Sequence, residues 1–411
     1  MMNWKVVLAL MVTFALMMSS SYTMLIPFLP LYMQNELKAT SDEIAMWSGF
    51  TFSITFAVSA FMSPIWGKLS DKMGKKPMII RSSILLSITY FLGGIVTNPF
   101  ELFLVRAFQG IAAGLWPACL VMISAYAPKN KLGLSMGLMQ SANICGGILG
   151  PLFGGILATS FGMRNSFFIG STALFTICVL SIFILKEPPA EKDIKKTDNK
   201  SVSTMDCLKN INILILLLCV GLTNFAIMEI QPIMALYVQS MSENAENAVL
   251  LSGLILSSGG LAGAIASPLW GKIGQKKGFA KTITVAFIFA GFMLTMQGIP
   301  DNLIIFGAIQ FICGLGFSGI FPSANSILVL ITPGNSRGIG FGLMTSAQML
   351  GGALGPIIGG LIVTLSSYSY VYVFSGLLML CMGIYILFFA PESFKKAANQ
   401  VKVTDLKTSQ D

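Results

Sequence analysis

Long runs of hydrophobic residues alternate with short polar segments along almost the whole chain. A helix of about 20 apolar residues can cross the hydrocarbon core of a bilayer. Twelve runs approach that length, at residues 6–32, 45–66, 77–97, 100–126, 133–161, 166–185, 211–238, 249–270, 282–298, 303–331, 338–365 and 370–390. The pattern predicts an all-α membrane protein with twelve transmembrane helices in two six-helix halves. The halves are predicted at 1–185 and 211–390, with a cytoplasmic linker at 186–210 and a cytoplasmic tail at 391–411.

The composition supports a membrane protein. Of the 411 residues, 55% are hydrophobic and 10% are charged, a balance that a soluble domain could carry only with large exposed apolar patches. The net charge of +9 would suit nucleic acid, but the basic residues lie between the apolar runs. The lipid bilayer is therefore an expected partner, and nucleic acid is not. The chain has no histidine, and its seven cysteines form no Cys-x-x-Cys pair, so no metal site and no cofactor are expected.

Lysine and arginine are distributed unevenly over the loops. The even-numbered loops and both termini carry most of them, whereas the odd-numbered loops carry only Lys38 and Arg164. Cytoplasmic loops are enriched in these residues, so both termini are predicted to be cytoplasmic. The loops are also too short to hold a soluble catalytic domain, and an enzyme is not expected.

The two halves repeat each other in sequence. Ser-Pro-Ile-Trp-Gly-Lys at 63–68 returns as Ser-Pro-Leu-Trp-Gly-Lys at 267–272, and the Gly-rich segment 146–155 returns at 351–360. Six spans separate each pair, so the halves have the same orientation and are predicted to be related by pseudo-twofold symmetry. Repeats of this kind place a substrate near the midplane and alternate access by rocking one half against the other. The second copy lacks one acid, because Gln275 stands where the first copy has Asp71.

Three segments resemble a known family. Gly-Lys-Leu-Ser-Asp-Lys-Met-Gly-Lys-Lys at 67–76 resembles the loop signature between helices two and three of the major facilitator superfamily. Arg106 with Gln109 and Gly110 resembles its helix-four arginine motif. The segment 146–155 resembles the helix-five signature of its drug–proton antiporters. The nearest match is to the twelve-span bacterial multidrug efflux pumps of the quinolone type.

The resemblance implies the major facilitator fold, a monomer and a location in the bacterial cytoplasmic membrane. It also implies a secondary active transporter that exports lipophilic or cationic drugs in exchange for protons by alternating access. The expected partners are then a small-molecule substrate, protons and the bilayer. A dedicated proton-coupled exporter of one metabolite, such as a siderophore or a sugar derivative, is the alternative.

Two ionisable side chains, Glu229 and Arg106, lie deep within predicted spans, where charge is costly. Burial disfavours an ionised carboxyl, so Glu229 could take a proton from outside and release it inside, or trade it for a cationic drug. A carboxyl that only bonds neighbouring helices is the alternative. Arg106 is predicted either to tune a carboxyl during proton relay or to brace its helix through backbone carbonyls. Many relatives carry a further acid in the first span, where residues 19–22 offer only hydroxyls.

A gating loop is predicted from four residues: Gly67, Asp71, Gly74 and Lys75. The apolar helix before it is expected to end at Trp66, and the two glycines allow turn angles that are closed to other residues. Asp71 can accept hydrogen bonds from backbone amides at a helix N-terminus, where the macrodipole favours an anion. The resemblance implies that Asp71 latches the cytoplasmic side when the pump faces outward. A solvated loop acid is the alternative.

Small residues in the fifth span predict a packing seam. Gly146, Gly150 and Gly154 recur every four residues and form one smooth helix face, and Pro151 permits a kink. A tight, bendable seam between the halves is predicted there. Polar and aromatic residues of other positions are candidates for the substrate cavity: Tyr22, Trp116, Gln140, Asn143, Asn224, Phe225, Gln231, Asn325 and Gln348.

Overall fold

The structure is a computed structural model that describes residues 2–24, 29–38, 41–188, 204–231, 233–241, 245–333 and 336–397. Most of the predicted linker and the end of the predicted tail lie outside these ranges, as do Pro27 and Pro232 of the first and seventh predicted spans. The orientation predicted from lysine and arginine, with both termini in the cytoplasm, stays a prediction.

The described residues form α-helices joined by short turns and contain no β-strand. In chain order the helices are α1 (Trp4–Met24), α2 (Leu29–Asn35), α3 (Ser41–Met73), α4 (Lys75–Ile95), α5 (Pro99–Ala112), α6 (Leu115–Tyr126), α7 (Leu132–Phe161), α8 (Met163–Phe183), α9 (Thr204–Lys209), α10 (Ile211–Ile230), α11 (Met234–Met241), α12 (Ala245–Lys277), α13 (Phe279–Gln297), α14 (Leu303–Phe317), α15 (Ile320–Ile331), α16 (Arg337–Leu365), α17 (Tyr368–Phe388) and α18 (Glu392–Ala397). The predicted all-α class is confirmed.

Eleven segments of the described chain are long and apolar enough to cross a membrane. They correspond to eleven of the twelve predicted spans. The remaining predicted span, 45–66, falls within α3, which is 33 residues long. The hydrophobic pattern therefore located the helical spans, although several of their boundaries differ.

Two of the predicted spans are each broken into two helices whose connection the structure describes in full. The run 100–126 forms α5 and α6, and the connection contains Gly114 with a φ of 116°, which glycine adopts readily. The run 303–331 likewise forms α14 and α15. Pro117 and Pro322 are each the third residue of the second helix, where a backbone N–H would have no partner within the helix. The breaks therefore cost few hydrogen bonds.

The predicted end of the second span at Trp66 is wrong. Helix α3 continues through Gly67 to Met73, about two turns further. The turn that follows is made at Gly74, which has a φ of 99°. Asp71 is therefore carried on an ordered helical end beyond the apolar run rather than on a loop.

By the density of contacts the chain forms two compact units, each assembled from separate segments. Unit 1 comprises Met1–Tyr126, Ala142–Cys207 and Gly334–Ser346. Unit 2 comprises Ala127–Ser141, Leu208–Pro333 and Ala347–Asp411. The domain boundaries given by the sequence repeat stay a prediction.

Small residues bring helices together within each unit. In unit 1, Ser87 of α4 donates to the carbonyl oxygen of Ser171 of α8 at 2.9 Å, and Ser171 donates back at 2.8 Å. In unit 2, a Cβ atom at Gly291 of α13 would lie 2.7 Å from the backbone nitrogen of Leu380 of α17. Such contacts let helices approach closely in lipid, where apolar burial gives no driving force.

Candidate functional site

Asp71, near the end of α3, caps the N-terminus of α16 within unit 1. Its Oδ1 accepts a hydrogen bond from the backbone N–H of Gly338 at 2.8 Å, and its Oδ2 accepts one from Ile339 at 2.9 Å. Both oxygens therefore serve first-turn amides that have no partner within the helix. Burial raises the pKa of Asp71 to about 6, opposed by these two amides and by the cations Lys75 and Arg337. The role of Asp71 in gating stays a prediction.

Gly67 allows the close approach that this contact requires. A Cβ atom at Gly67 would overlap the carbonyl oxygen of Gly338, and one at Gly338 would overlap the carbonyl oxygen of Gly67. Since both clashes are with backbone atoms, neither position could carry a side chain without moving a helix. Gly67 therefore serves a helix crossing, and the prediction that it forms a turn is wrong.

Gly74 forms the turn, and an acid outside the predicted gating loop completes it. The backbone N–H of Lys75 donates to Glu187 Oε1 at 2.6 Å, and that of Lys76 donates to Glu187 Oε2 at 2.8 Å. Glu187 thus caps α4 in the way that Asp71 caps α16. Nothing in the local sequence pattern around Glu187 points to a helix that begins 112 residues earlier.

Gln275 makes the corresponding contact in the second repeat, within unit 2. Its Oε1 accepts a hydrogen bond from the backbone N–H of Gly133 at 2.8 Å, and its Nε2 donates to the carbonyl oxygen of Lys129. Cβ atoms at Gly133 and Gly271 would each overlap the other's carbonyl oxygen. The two repeats therefore differ in the charge of the capping side chain but share its placement. The repeat itself is the sequence signal that identifies Gln275.

Arg81 is a further partly buried cation, which the hydrophobic pattern places only near a helix end. Its Cζ lies 3.6 Å from the centre of the Trp66 ring, and its Nη2 donates to the carbonyl oxygen of Ala113 at 2.9 Å. Trp66 Nε1 donates to the carbonyl oxygen of Ile111 at 2.8 Å. The two side chains therefore satisfy carbonyl groups that are left free where α5 ends before Gly114.

Glu229 is fully buried in unit 2, in the last turn of α10. Ser375 of α17 donates a hydrogen bond to Glu229 Oε2, and Oε1 has no hydrogen-bond partner among the described residues. A Cβ atom at Gly359 of α16 would lie 2.8 Å from Glu229 Cγ. The carboxyl is therefore held among three helices by one hydroxyl. Its predicted span, 211–238, is divided between two helices, because α10 ends at Ile230 and α11 begins at Met234.

Arg106 is buried in unit 1, with 5% of its surface exposed. Its Nη1 donates to Gln109 Oε1 at 2.9 Å. The titratable side chains that act on it electrostatically are Tyr90 and Tyr22, and no carboxylate of the described residues is among them. Arg106 thus belongs to unit 1 and Glu229 to unit 2. Their shared role in proton coupling stays a prediction.

The four residues of the predicted helix-five seam lie in α7: Gly146, Gly150, Pro151 and Gly154. Their glycine face packs on α1 of the same unit, since a Cβ atom at Gly146 would lie 2.7 Å from the carbonyl oxygen of Leu16. One at Gly150 would lie 2.6 Å from that of Ser20. The predicted close packing is therefore present against the first helix of the same unit, and a seam between the halves stays a prediction.

The candidate cavity residues divide between the two units. Unit 1 contains Tyr22, Trp116 and Asn143, and unit 2 contains Gln140, Asn224, Phe225, Gln231, Asn325 and Gln348. One pair is in contact, because Asn224 Nδ2 donates to the carbonyl oxygen of Gln348 at 2.7 Å. Gln231 is exposed after the end of α10, whereas Asn325 is buried. Their convergence on one cavity stays a prediction.

Comparison with known proteins identifies the family. The family model described as Major Facilitator Superfamily matches residues 10–307 and 233–409. The chain is 31% identical over 385 residues to YuxJ of Bacillus subtilis, named as an uncharacterised MFS-type transporter, and this covers 92% of the chain and 98% of YuxJ. It is 30% identical over 387 residues to the multidrug resistance protein MdtG of Escherichia coli, covering 93% and 94%.

Solved structures show the same fold. The human organic anion transporter MFSD10 (TETRAN) matches with a TM-score of 0.79 and 16% identity, covering 94% of this chain and 100% of that one. The fucose:proton symporter FucP of E. coli matches with a TM-score of 0.73 and 15% identity, covering 95% and 100%. At these identities the likeness shows the fold alone. The family model, the relatives and the fold agree: the chain belongs to the major facilitator superfamily and is a membrane transporter rather than an enzyme.

Proposed function

We propose that this protein exports lipophilic and cationic drugs across the bacterial cytoplasmic membrane in exchange for protons, by alternating access. The relatives named as multidrug resistance proteins support drug export. The observation that carries proton exchange is Glu229, a carboxyl fully buried in an apolar helix. The protein acts as a monomer in the bilayer, with protons and a small-molecule substrate as its partners.

The surroundings of Glu229 suit a group that alternates between a proton and a cation. Ser375 supplies a hydrogen bond to one oxygen, and the other oxygen has no partner among the described residues. An ionised carboxylate is costly in such a place unless water or a cation reaches it. When the site opens, the proton can leave and a cationic substrate can take its place. Proton and drug would then compete for one carboxyl, which is the requirement for exchange.

Asp71 is proposed to control the cytoplasmic side. Its carboxylate holds the first amides of α16 through two hydrogen bonds, and Gly67 and Gly338 allow the two helices to cross at backbone contact. Opening of the cytoplasmic side is proposed to break this contact. Arg106 is proposed to supply a fixed positive charge in the membrane part, since a guanidinium keeps its proton throughout the cycle.

The test compares three proteins in inverted membrane vesicles with an imposed pH gradient: the wild type, Glu229→Gln and Glu392→Gln. Glutamine keeps the shape and hydrogen-bonding capacity of Glu229 but fixes it in a neutral state. Glu392 is exposed and paired with Lys396 at 2.9 Å, so its variant controls for a general loss of negative charge. Export of a cationic dye should fail in Glu229→Gln, persist in Glu392→Gln and stop in the wild type when an uncoupler is added.

Two results would contradict the proposal in different ways. Equal gradient-driven rates for the wild type and Glu229→Gln would make Glu229 a structural group. Export that is insensitive to the uncoupler would reject proton exchange altogether. A panel of dyes and quinolones separates the broad exporter from the dedicated one, because transport confined to one metabolite would favour the latter.

A further inference from the structure

A permanently charged guanidinium lies in unit 1, and no carboxylate of the described residues pairs with it. Arg106 is about 10 Å along α5 from its first residue and is 5% exposed. Among the described residues its side chain is hydrogen-bonded to Gln109, which is neutral. The titratable neighbours, Tyr22 and Tyr90, are phenols that are uncharged at neutral pH. Since an arginine does not lose its proton in proteins, the described part of the chain leaves this charge uncompensated.

A neighbouring helix contacts Arg106 through its backbone, because Thr55 of α3 donates to the carbonyl oxygen of Arg106 at 3.1 Å. The hydroxyl of Tyr90 of α4 donates elsewhere, to the carbonyl oxygen of Ser21 at 2.8 Å. The guanidinium carries five N–H donors in a planar fork. Such a fork matches the two oxygens of a carboxylate through parallel hydrogen bonds. The chemistry that Arg106 offers is therefore recognition of an oxyanion.

The corresponding position of the second repeat carries no charge. Gln310 is the counterpart of Arg106, and its Oε1 accepts a hydrogen bond from Gln297 Nε2 at 2.6 Å. One hydrogen bond between two neutral amides is made there, and Gln297 Oε1 has no partner among the described residues. The positive charge of Arg106 is thus a feature of unit 1 alone and calls for a separate explanation.

We propose that Arg106 binds an anionic group of the transported compound, so that lipophilic carboxylates and carboxylate-bearing zwitterions are substrates alongside cations. The bound anion supplies the counter-charge that the described side chains lack. Tyr22 is half-buried and interacts electrostatically with Arg106, so we expect its ring to contact the apolar part of such a molecule. This inference rests on the proposed function only in taking the substrates to be lipophilic small molecules.

Binding to the full chain in phosphatidylcholine nanodiscs tests the proposal without a proton gradient, so its result is independent of whether export is proton-driven. The probes are dansyl-labelled undecanoic acid and its primary amide, which differ in charge but hardly in shape. They are titrated at a pH well above the pKa of the acid, with empty nanodiscs as the blank. The wild type should bind the acid about tenfold more tightly than the amide, a difference of about 1.4 kcal/mol.

Three variants separate recognition of the anion from a structural effect. Arg106→Gln should remove the preference by weakening the acid about tenfold and the amide less than about twofold. Arg106→Lys keeps the charge without the fork and should retain part of the preference. Arg164→Gln is the control, because Arg164 is half-exposed and pairs with Glu36 at 2.9 Å, and it should keep the full preference.

Several outcomes would overturn the inference. Equal wild-type affinities for the acid and the amide would exclude an anion site, whatever the variants do. Equal weakening of both probes by Arg106→Gln would make Arg106 structural. If Arg106→Gln does not fold, Arg106→Lys decides: an unchanged preference would show that the fork is not engaged, and a reduced one with normal amide binding supports the proposal.

Discussion

A methyl group added to α7 distinguishes a position packed tightly against α1 from a neighbouring position at ordinary contact distance from it. A Cβ atom at Gly150 would lie 2.6 Å from the carbonyl oxygen of Ser20 and would overlap Thr23 Oγ1. One at Gly147 would meet Ser19 Oγ at 3.8 Å, which is ordinary van der Waals contact. Gly150→Ala and Gly147→Ala therefore make the same chemical change on one helix, with and without a steric conflict.

The expected magnitude follows from these distances. Ordinary contact begins at 3.4 Å, so the carbonyl of Ser20 must retreat by about 0.8 Å (3.4 minus 2.6) in Gly150→Ala. Overpacking of this kind costs about 1–3 kcal/mol. Replacing a helical glycine by alanine gains about 1 kcal/mol in either variant, and this gain cancels in the comparison. Gly150→Ala should therefore be about 1–3 kcal/mol less stable than Gly147→Ala.

Unfolding in mixed micelles, followed by circular dichroism and by the reactivity of buried thiols such as Cys119 and Cys219, measures this difference. Transport in vesicles gives the functional counterpart, and Gly150→Leu should abolish it while expression is retained. Equal stability of the two alanine variants would show that α1 and α7 do not touch at Gly150. Normal turnover of Gly150→Leu would show that the glycine face is not needed for the transport cycle.

The remaining predictions concern the two helix-end contacts. Burial raises the pKa of Asp71 from 3.8 to about 6, so formation of its contact with α16 takes up protons. The contact should be favoured as the pH falls from about 6 towards 4 and insensitive to pH above about 7. Labelling of a cysteine that replaces the buried Ser70 next to Asp71, in a cysteine-free background, should follow this pH dependence when Asp71 is present but not with Asp71→Asn. Asp71→Asn should also slow transport, because the cycle requires both the formed and the broken contact. Gln275→Glu places a carboxylate oxygen opposite the carbonyl oxygen of Lys129 and should weaken the contact of Gln275 with α7 by about 1 kcal/mol or more. Cysteine labelling near Gly133 measures this, and unchanged labelling would contradict the prediction.

The spans and the repeat could be predicted from sequence because each depends only on residues that are neighbours in the chain. An apolar run that crosses a bilayer needs no partner to be recognised, and the segment 351–360 copies 146–155 almost position by position. The same repeat pointed to Gln275 as the counterpart of Asp71. The acceptor chemistry of a carboxylate added the expectation that Asp71 can cap a helix N-terminus, and α16 begins where its carboxylate lies.

The features that could not be predicted depend on partners far away in the chain. Glu187 caps the start of α4, which lies 112 residues earlier in the chain, and no local sequence pattern predicts this contact. The break before Gly114 depends on Trp66 of α3 and Arg81 of α4, which donate hydrogen bonds to the carbonyl groups that the break leaves free. Helix α3 runs past Trp66 because its polar end is held by α16, whereas hydropathy alone ends the helix with the apolar run. Tertiary hydrogen bonds decide each of these cases.

The two repeats share the geometry of the helix-end contact but differ in whether the capping side chain can ionise. At both ends a glycine crossing brings helices to backbone contact and a side chain accepts the N–H of a first-turn glycine, Gly338 in unit 1 and Gly133 in unit 2. Asp71 can gain and lose a proton, whereas the amide of Gln275 does not titrate. On the proposed function, the Asp71 contact would therefore respond to cytoplasmic acidification and the Gln275 contact would not. An acid at position 275 would have made the two contacts equivalent. Because Gln275 is a neutral amide, we infer that one pH-sensitive contact is sufficient.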